Sequence, residues 1–311
     1  VIGLFALTLA APPALPPLPE AVSSLGACFL DGHLYVYGGH AGRTHSYATE
    51  TTSGRFRRLN VNDPAKGWED LPGGPHLQGL ALVAHAGRVY RVGGMRPRNM
   101  PGEAADNHSV ASVARFDPAA NRWERLADLP EPRSSHDAVV VGDTLVVVGG
   151  WRMNGREAKP DWHDTALTLD LADPKADWRA VPQPFRRRAL TAAAVGGKVY
   201  VIAGLTPDAN TAHAVDIFDP AAGTWAAGPA VPGDRLNGFT PAAAASDGAV
   251  YLNPADGVVY RLAGDRWEPV SAVPTPRFVH RLVPVGGGRL AAVGGASKSG
   301  NVAAVEVVGG K

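Results

Sequence analysis

Two tetrads of the chain place a guanidinium and an imidazole at the same spacing: Pro132-Arg133-x-x-His136 and Pro276-Arg277-x-x-His280. Arginine presents a planar fork suited to carboxylate or phosphate, and histidine exchanges a proton near neutral pH. Arg187 holds the place of Arg133 when both are counted back from Gly204 and Gly150, and Arg235 aligns more loosely. A second set of polar and aromatic residues follows glycine pairs: His40 after Gly39, then Trp151 after Gly150, with Trp162 and His163 further on. In the same loop, Gly155-Arg156-Glu157-Ala158-Lys159-Pro160 offers one carboxylate, Glu157, among basic groups. Guanidinium groups with imidazoles and a carboxylate suit an anionic or polyhydroxylated ligand, Trp151 offers a face for a sugar ring, and Glu157 is the candidate acid/base. Each of these residues has a plainer reading beside this one. An arginine in a repeated position also bonds main-chain carbonyls between structural units, and a repeated histidine also lines a core.

The elements that must position these residues are short strands. Val-Val-Val-Gly142-Asp143-Thr-Leu-Val-Val-Val is two apolar runs joined by a tight-turn pair, and the second run ends on Gly149-Gly150. Similar units end on Gly38-Gly39, Gly93-Gly94, Ala203-Gly204 and Gly294-Gly295, and a worn one on Asn253-Pro254. By subtraction, glycines 39, 94, 150 and 204 are 55, 56 and 54 residues apart. Each unit has a second half. Phe116-Asp117-Pro118 leads to Trp123, Phe218-Asp219-Pro220 leads to Trp225, and Trp68, Trp178 and Trp267 fill the place elsewhere. Strand, hairpin, strand, loop, strand, turn and strand, repeated about six times, closes radially and leaves only short edges.

The glycine doublet, the Phe-Asp-Pro and the Trp six residues after its Asp resemble the kelch repeat, over about residues 18–311. The resemblance implies an all-β, six-bladed kelch-type β-propeller with four antiparallel strands per blade. Residues 15–311 are expected as the propeller. Residues 1–14 are expected as a signal-peptide remnant or a degenerate closing strand, because residues 1–11 form a short apolar run followed by Pro12-Pro13. The segment just before Leu18 is expected to supply the last blade's outer strand, with Pro12 where a Trp would stand.

Composition excludes several classes. A net charge of +1 provides no field for nucleic acid or an anionic membrane. The one cysteine, Cys28, rules out an internal disulfide, and its register places it inside a first strand. No metal or other cofactor is expected, nor stable membrane insertion, and the chain is expected as a monomer. In a four-stranded blade, the loops after the glycine doublets and the starts of the innermost strands share one face. The ligand site is therefore expected at the loop-rich channel mouth, formed by Arg133, His136, Arg187, Arg235, Arg277, His280, His40 and Trp151. The leading reading is an extracytoplasmic (periplasmic or secreted) binding propeller for a sugar, sugar acid or protein. The blade pattern is also similar to secreted bacterial N-acetylneuraminate mutarotases (epimerases), which implies a carbohydrate isomerase as the alternative, with Glu157 as its catalytic group. That family's Glu after the blade-four glycine is here Leu205. A galactose-oxidase-like copper site is disfavoured, since Cys28 is a core strand residue.

Overall fold

A computed structural model describes residues 14–309. Among them the regular structure is β-strand, with three short 3-10 turns. Blade 1 comprises Gly26–Leu30, His33–Tyr37, Phe56–Asn60 and Trp68–Leu71, hydrogen-bonded in that order from the axis outward. Blade 2 has Ala81–His85, Arg88–Val92, Val113–Asp117 and Arg122–Arg125, and blade 3 has Asp137–Val141, Thr144–Val148, Thr165–Asp170 and Arg179–Pro182. Blade 4 has Thr191–Val195, Lys198–Ile202, Val215–Asp219 and Thr224–Gly228, and blade 5 has Ala242–Ser246, Ala249–Asn253, Val258–Ala263 and Arg266–Ala272. Blade 6 shows Arg281–Pro284, Arg289–Val293 and Val305–Gly309. Neighbours within each sheet are antiparallel, and the innermost strands touch in turn around a closed ring, blade 6 meeting blade 1. The fold is the six-bladed kelch-type β-propeller expected.

The repeated residues have physical tasks. In blade 3 the pairing Val141↔Thr144 leaves Gly142-Asp143 as a two-residue turn, with Gly142 at φ +58. The first glycine of each doublet touches the main chain of the next blade. A Cβ on Gly38 (φ +64) would stand 2.4 Å from the Leu77 carbonyl oxygen, and one on Gly93 (φ +56) 2.5 Å from that of Arg133. The second glycine's N–H then bonds that same blade: Gly39 to Leu77 O, Gly94 to Arg133 O, Gly150 to Arg187 O and Gly295 to Val22 O. Blades are thus joined main chain to main chain, and side chains fill the space further down. Phe56 of blade 1 meets Phe116 and Trp123 of blade 2 with ring centroids 4.9 Å apart.

The tryptophans that recur once per unit act as clasps. Each indole Nε1 donates to a carbonyl in the preceding blade: Trp123 to Pro72 at 2.7 Å, Trp178 to Ala127 at 3.2 Å, Trp225 to Pro182 at 2.9 Å and Trp267 to Pro229 at 2.9 Å. Trp68 closes the ring by donating to Pro16 at 3.2 Å.

The segment from Ala14 to Pro19 therefore occupies the outer position of blade 6. It forms no strand there. Leu18 N donates to Ala303 O at 2.7 Å, just as Leu129 N donates to Ala111 O in blade 2. Pro16 and Pro17 carry no N–H, which leaves the ladder short of donors. The export run at residues 1–11 and the Pro12 position lie outside the described residues. Cys28 pairs opposite Tyr35 in the first strand, buried, and burial raises its thiol pKa far above the usual value.

Candidate functional site

One residue per blade, just before the innermost strand, sits near φ +50: Ser24, Gly79, Ser135, Ala189, Thr240 and Val279. Their peptide groups bond head to tail around the axis. Gly79 N donates to Ser24 O, Ser135 N to Gly79 O, Ala189 N to Ser135 O, Val279 N to Thr240 O and Ser24 N to Val279 O. This collar separates two cavities, since all six residues line both.

Below the collar lies a cavity of about 70 Å³, bordered by His136, His280 and Arg281. Arg281 spans the channel. Its Nε donates to Leu25 O at 3.0 Å, its Nη2 to Leu80 O at 2.8 Å and its Nη1 to Asp137 Oδ1 at 2.8 Å. Asp137 Oδ2 accepts from Ala192 N at 2.9 Å and from Thr191 Oγ1 at 3.3 Å, and Thr191 Oγ1 accepts from Ala243 N at 3.0 Å. The chain of bonds passes through all six blades and crosses the axis. His136 and His280 flank it, both buried, and burial with the neighbouring arginines pushes their pKa values down, His280 to about 3. His280 Nε2 is 2.9 Å from Asn253 Oδ1.

The arginines of the Pro-Arg pairs serve their own blades. Arg133 is 1% exposed, and its Nη1 donates to Gly149 O at 3.0 Å and Thr165 O at 2.8 Å. Arg187 donates likewise to Ala203 O and Ala214 O and pairs with Asp216. Arg277 donates to Gly294 O and Ala304 O and pairs with Glu306. Each pins the glycine-doublet corner to the start of the third strand, so these guanidinium groups point into the sheet and away from the mouth. The bonds run within one blade, which corrects the expectation that they join two. His40 is also buried, its Nε2 3.0 Å from Arg43 O and its ring packed on Tyr47. Arg235 stands exposed on the 3-10 turn Arg235–Gly238 and does not line either channel cavity. Glu157 is exposed at a loop tip, also away from both. Of the expected ligand residues, only Trp151 reaches the mouth.

Above the collar, on the loop face, is a basin of about 400 Å³. Two small hairpins form one wall, Met95–Pro97 with Asn107–Ser109 and Trp151–Arg152 with Asp161–Trp162. They are locked together: Gly155 N donates to Asn107 O, and Met153 N and Ser134 Oγ both meet Ser109 Oγ. Arg188 enters from blade 4. Its guanidinium carbon stands 3.9 Å from the Trp151 ring centroid and 5.7 Å from that of Trp162. No ion pair or side-chain hydrogen bond of Arg188 is present among the described residues, and its Nε is buried without a partner. Burial lowers its pKa, and Tyr47 alone opposes that. Among the described residues no Asp or Glu lines the basin, while Met95, Met153, Leu205 and Phe239 give it apolar walls. Trp151 Nε1 and Asn107 Oδ1 also lack partners.

Arg186, Arg187 and Arg188 are consecutive and look alike in the sequence. The run instead divides three ways. Arg186 is exposed and paired to Asp164 at 2.7 Å, Arg187 is sunk in the blade, and Arg188 faces the basin. The signal that identifies it is its position, one residue before the collar. Equivalent places hold Ser23, Gln78, Ser134, Phe239 and Phe278.

Residues 186–232, the stretch that contains this arginine run and the fourth blade, match the Kelch motif family. This is a kelch-type propeller. The kelch chain is similar to Kelch-like protein 35 of Mus musculus, 27% identical over 215 residues that cover 68% of this chain and 31% of that protein. It is also similar to Kelch repeat and BTB domain-containing protein 13 of Homo sapiens, 28% identical over 258 residues, 81% of this chain and 50% of the relative. The kelch chain thus spans half or less of the length of these relatives. Among solved structures, that of YjhT superposes with a TM-score of 0.75 over 96% of this chain and 97% of the other, at 15% identity, a likeness of fold.

Proposed function

We propose that this kelch propeller is a binding module whose loop-face basin receives an acidic group carried by a protein ligand. The observation that carries the reading is Arg188, a cation stacked on Trp151 with no counter-charge in the basin around it. An arginine left without its own carboxylate is satisfied by one brought in. The remaining walls favour a protein over a sugar. A sugar ring needs paired donors and acceptors around all of its hydroxyls, whereas Met95, Met153, Leu205 and Phe239 give this basin apolar walls beside its polar Gln78 and Asn107. Met100 and Leu236, 49% and 58% exposed, stand on loops that emerge on the same face, Met100 after the blade-two doublet and Leu236 in the link between blades 4 and 5. Kelch propellers are in general protein-binding scaffolds. Mutarotase-type chemistry is disfavoured, because no carboxylate lines the basin to act as acid/base. An extracytoplasmic setting stays part of the proposal on the apolar run at residues 1–11 alone.

Peptide display and a glycan array, each run against the protein and its Arg188→Gln variant, test the reading. Acidic peptides should be enriched, and the variant should lose about tenfold or more in affinity, the worth of one charge-assisted hydrogen bond. Enrichment of neutral or basic peptides, acidic binders indifferent to Arg188→Gln, or Arg188-dependent binding of sugar acids in place of peptides would each overturn it.

A further inference from the structure

The collar is a ring of six peptide groups with five bonds. The sixth step, Thr240 N to Ala189 O, is absent, and neither atom has another hydrogen-bond partner among the described residues. The gap falls between blades 4 and 5 for a visible reason. Blade 5 has Asn253-Pro254 in place of the glycine doublet. Elsewhere the residue before the collar is held in an antiparallel bridge to the residue after the doublet, as in Ser134↔Trp151, Arg188↔Leu205 and Phe278↔Ala296. Phe239 has no such bridge. Its N–H turns back to Leu236 O at the end of the 3-10 turn Arg235–Gly238. Thr240 is therefore set by a different loop from its five counterparts, and the ring opens there.

Thr240 and Ala189 both line the basin described above, as they do the small cavity below the collar. Thr240 contributes an N–H, Ala189 a C=O, and Asn107 Oδ1 on the opposite hairpin is a second acceptor, 8% exposed and without a partner. Arg188 adjoins Ala189, and Phe239 adjoins Thr240. Buried polar groups left without partners are rare, and a donor and an acceptor left together are complementary to another donor and acceptor. We infer that the open seam of the collar binds a main-chain peptide unit of the ligand, whose C=O accepts from Thr240 N–H and whose N–H donates to Ala189 O. This deepens the proposed function and rests on it. Arg188 takes the acidic side chain, and the seam takes the peptide group beside it. The ligand class is then a peptide with an acidic residue whose flanking amide is unsubstituted, as distinct from a free dicarboxylate or an acidic sugar.

The experiment uses the whole chain, labelled with nitrogen-15 and with backbone amides assigned. Without ligand, the Thr240 amide should exchange with solvent at least about tenfold faster than those of Gly79, Ser135 and Ala189, which are bonded within the collar. The probe is N-acetyl-glutamate N-methylamide, compared with glutarate and with the analogue methylated on both amide nitrogens. The first probe should shift the Thr240 amide and slow its exchange, and should bind about tenfold more tightly than either comparator, as one to two net hydrogen bonds require. Three results would overturn the inference: a Thr240 amide as protected as its collar counterparts before any probe is added, a Thr240 amide unmoved by the first probe while the Trp151 indole resonance shifts, or equal affinity for the three compounds. In the second case acidic capture at Arg188 stands and the seam fails. If neither resonance moves at any probe concentration, both readings fall.

Discussion

The guanidinium of Arg281 in blade 6 lies 2.8 Å from the carboxylate of Asp137 in blade 3, directly across the propeller. Both belong to innermost strands, each two residues past the collar, and they face each other because units three and six stand opposite in a ring of six. Asp137 is 7% exposed on its side chain, so removing Arg281 strands a buried charge. Arg281→Gln should destabilise the protein by about 3–5 kcal/mol, and Asp137→Asn by a similar amount. The double variant should lose less than the sum, with a coupling of at least about 1 kcal/mol. Urea unfolding of the four proteins measures this, and additive losses would show that the contact couples nothing.

Acid should loosen the structure through its buried histidines. His163 is held to about 4 by burial and by Arg133, and His280 to about 3 by burial, Arg277 and Arg281. The unfolded chain titrates near the ordinary value of about 6.5, so between that pH and the folded values it binds more protons than the native state. Stability is present in full above about pH 6.5 and falls as pH drops through this window, at about 1.4 kcal/mol per pH unit for each such histidine. His280→Asn, which keeps a polar partner for Asn253, should shallow the dependence. Denaturant midpoints taken from pH 7 to pH 4 would show this, and identical slopes in both proteins would contradict it.

The indole clasps should differ in worth according to what surrounds them. Trp123 bonds Pro72 O and also lies 4.9 Å from the Arg91 guanidinium carbon, within a cluster containing Tyr37, Phe56 and Phe116. Trp178 bonds Ala127 O, and among the described residues no arginine lies over its ring. Trp178→Phe should cost about 0.5–1.5 kcal/mol, and Trp123→Phe more, because a phenylalanine ring makes a weaker cation–π contact with Arg91 than an indole does. Thermal unfolding of the two variants ranks them, and the reverse order would contradict this account.

The architecture was readable because its determinants recur. Glycine doublets stand wherever a neighbouring main chain comes too close for a Cβ, and tryptophans stand wherever a clasp is made, so the period appears directly in the letters. The sixth blade was half readable. Leu18 falls in the register its spacing implies, yet Pro16 and Pro17 prevent the strand that spacing suggested. Arg188, which lines the basin, stands one residue beyond the arginine that the repeat singles out. Arg133, Arg187 and Arg277 draw attention because they repeat, and they repeat because every blade corner needs its carbonyls bonded. In an extended segment the next side chain points the other way, so the residue after each corner arginine faces elsewhere, and of Arg188 in blade 4 and Ser134 in blade 3 only Arg188 lines the basin. Asp137 and Arg281 were hidden for a related reason. They occupy the same place in two units with opposite charge, and only the closed ring makes them partners.

Because the collar and the doublets join blades through atoms that every residue type possesses, the identity of the side chains that line the mouth just above the collar, Gln78, Arg188 and Phe239, is free of the task of holding the disc together. Positions 78, 188 and 239 form an interchangeable palette around one opening. A library randomised there alone would vary what the mouth recognises on an unaltered frame.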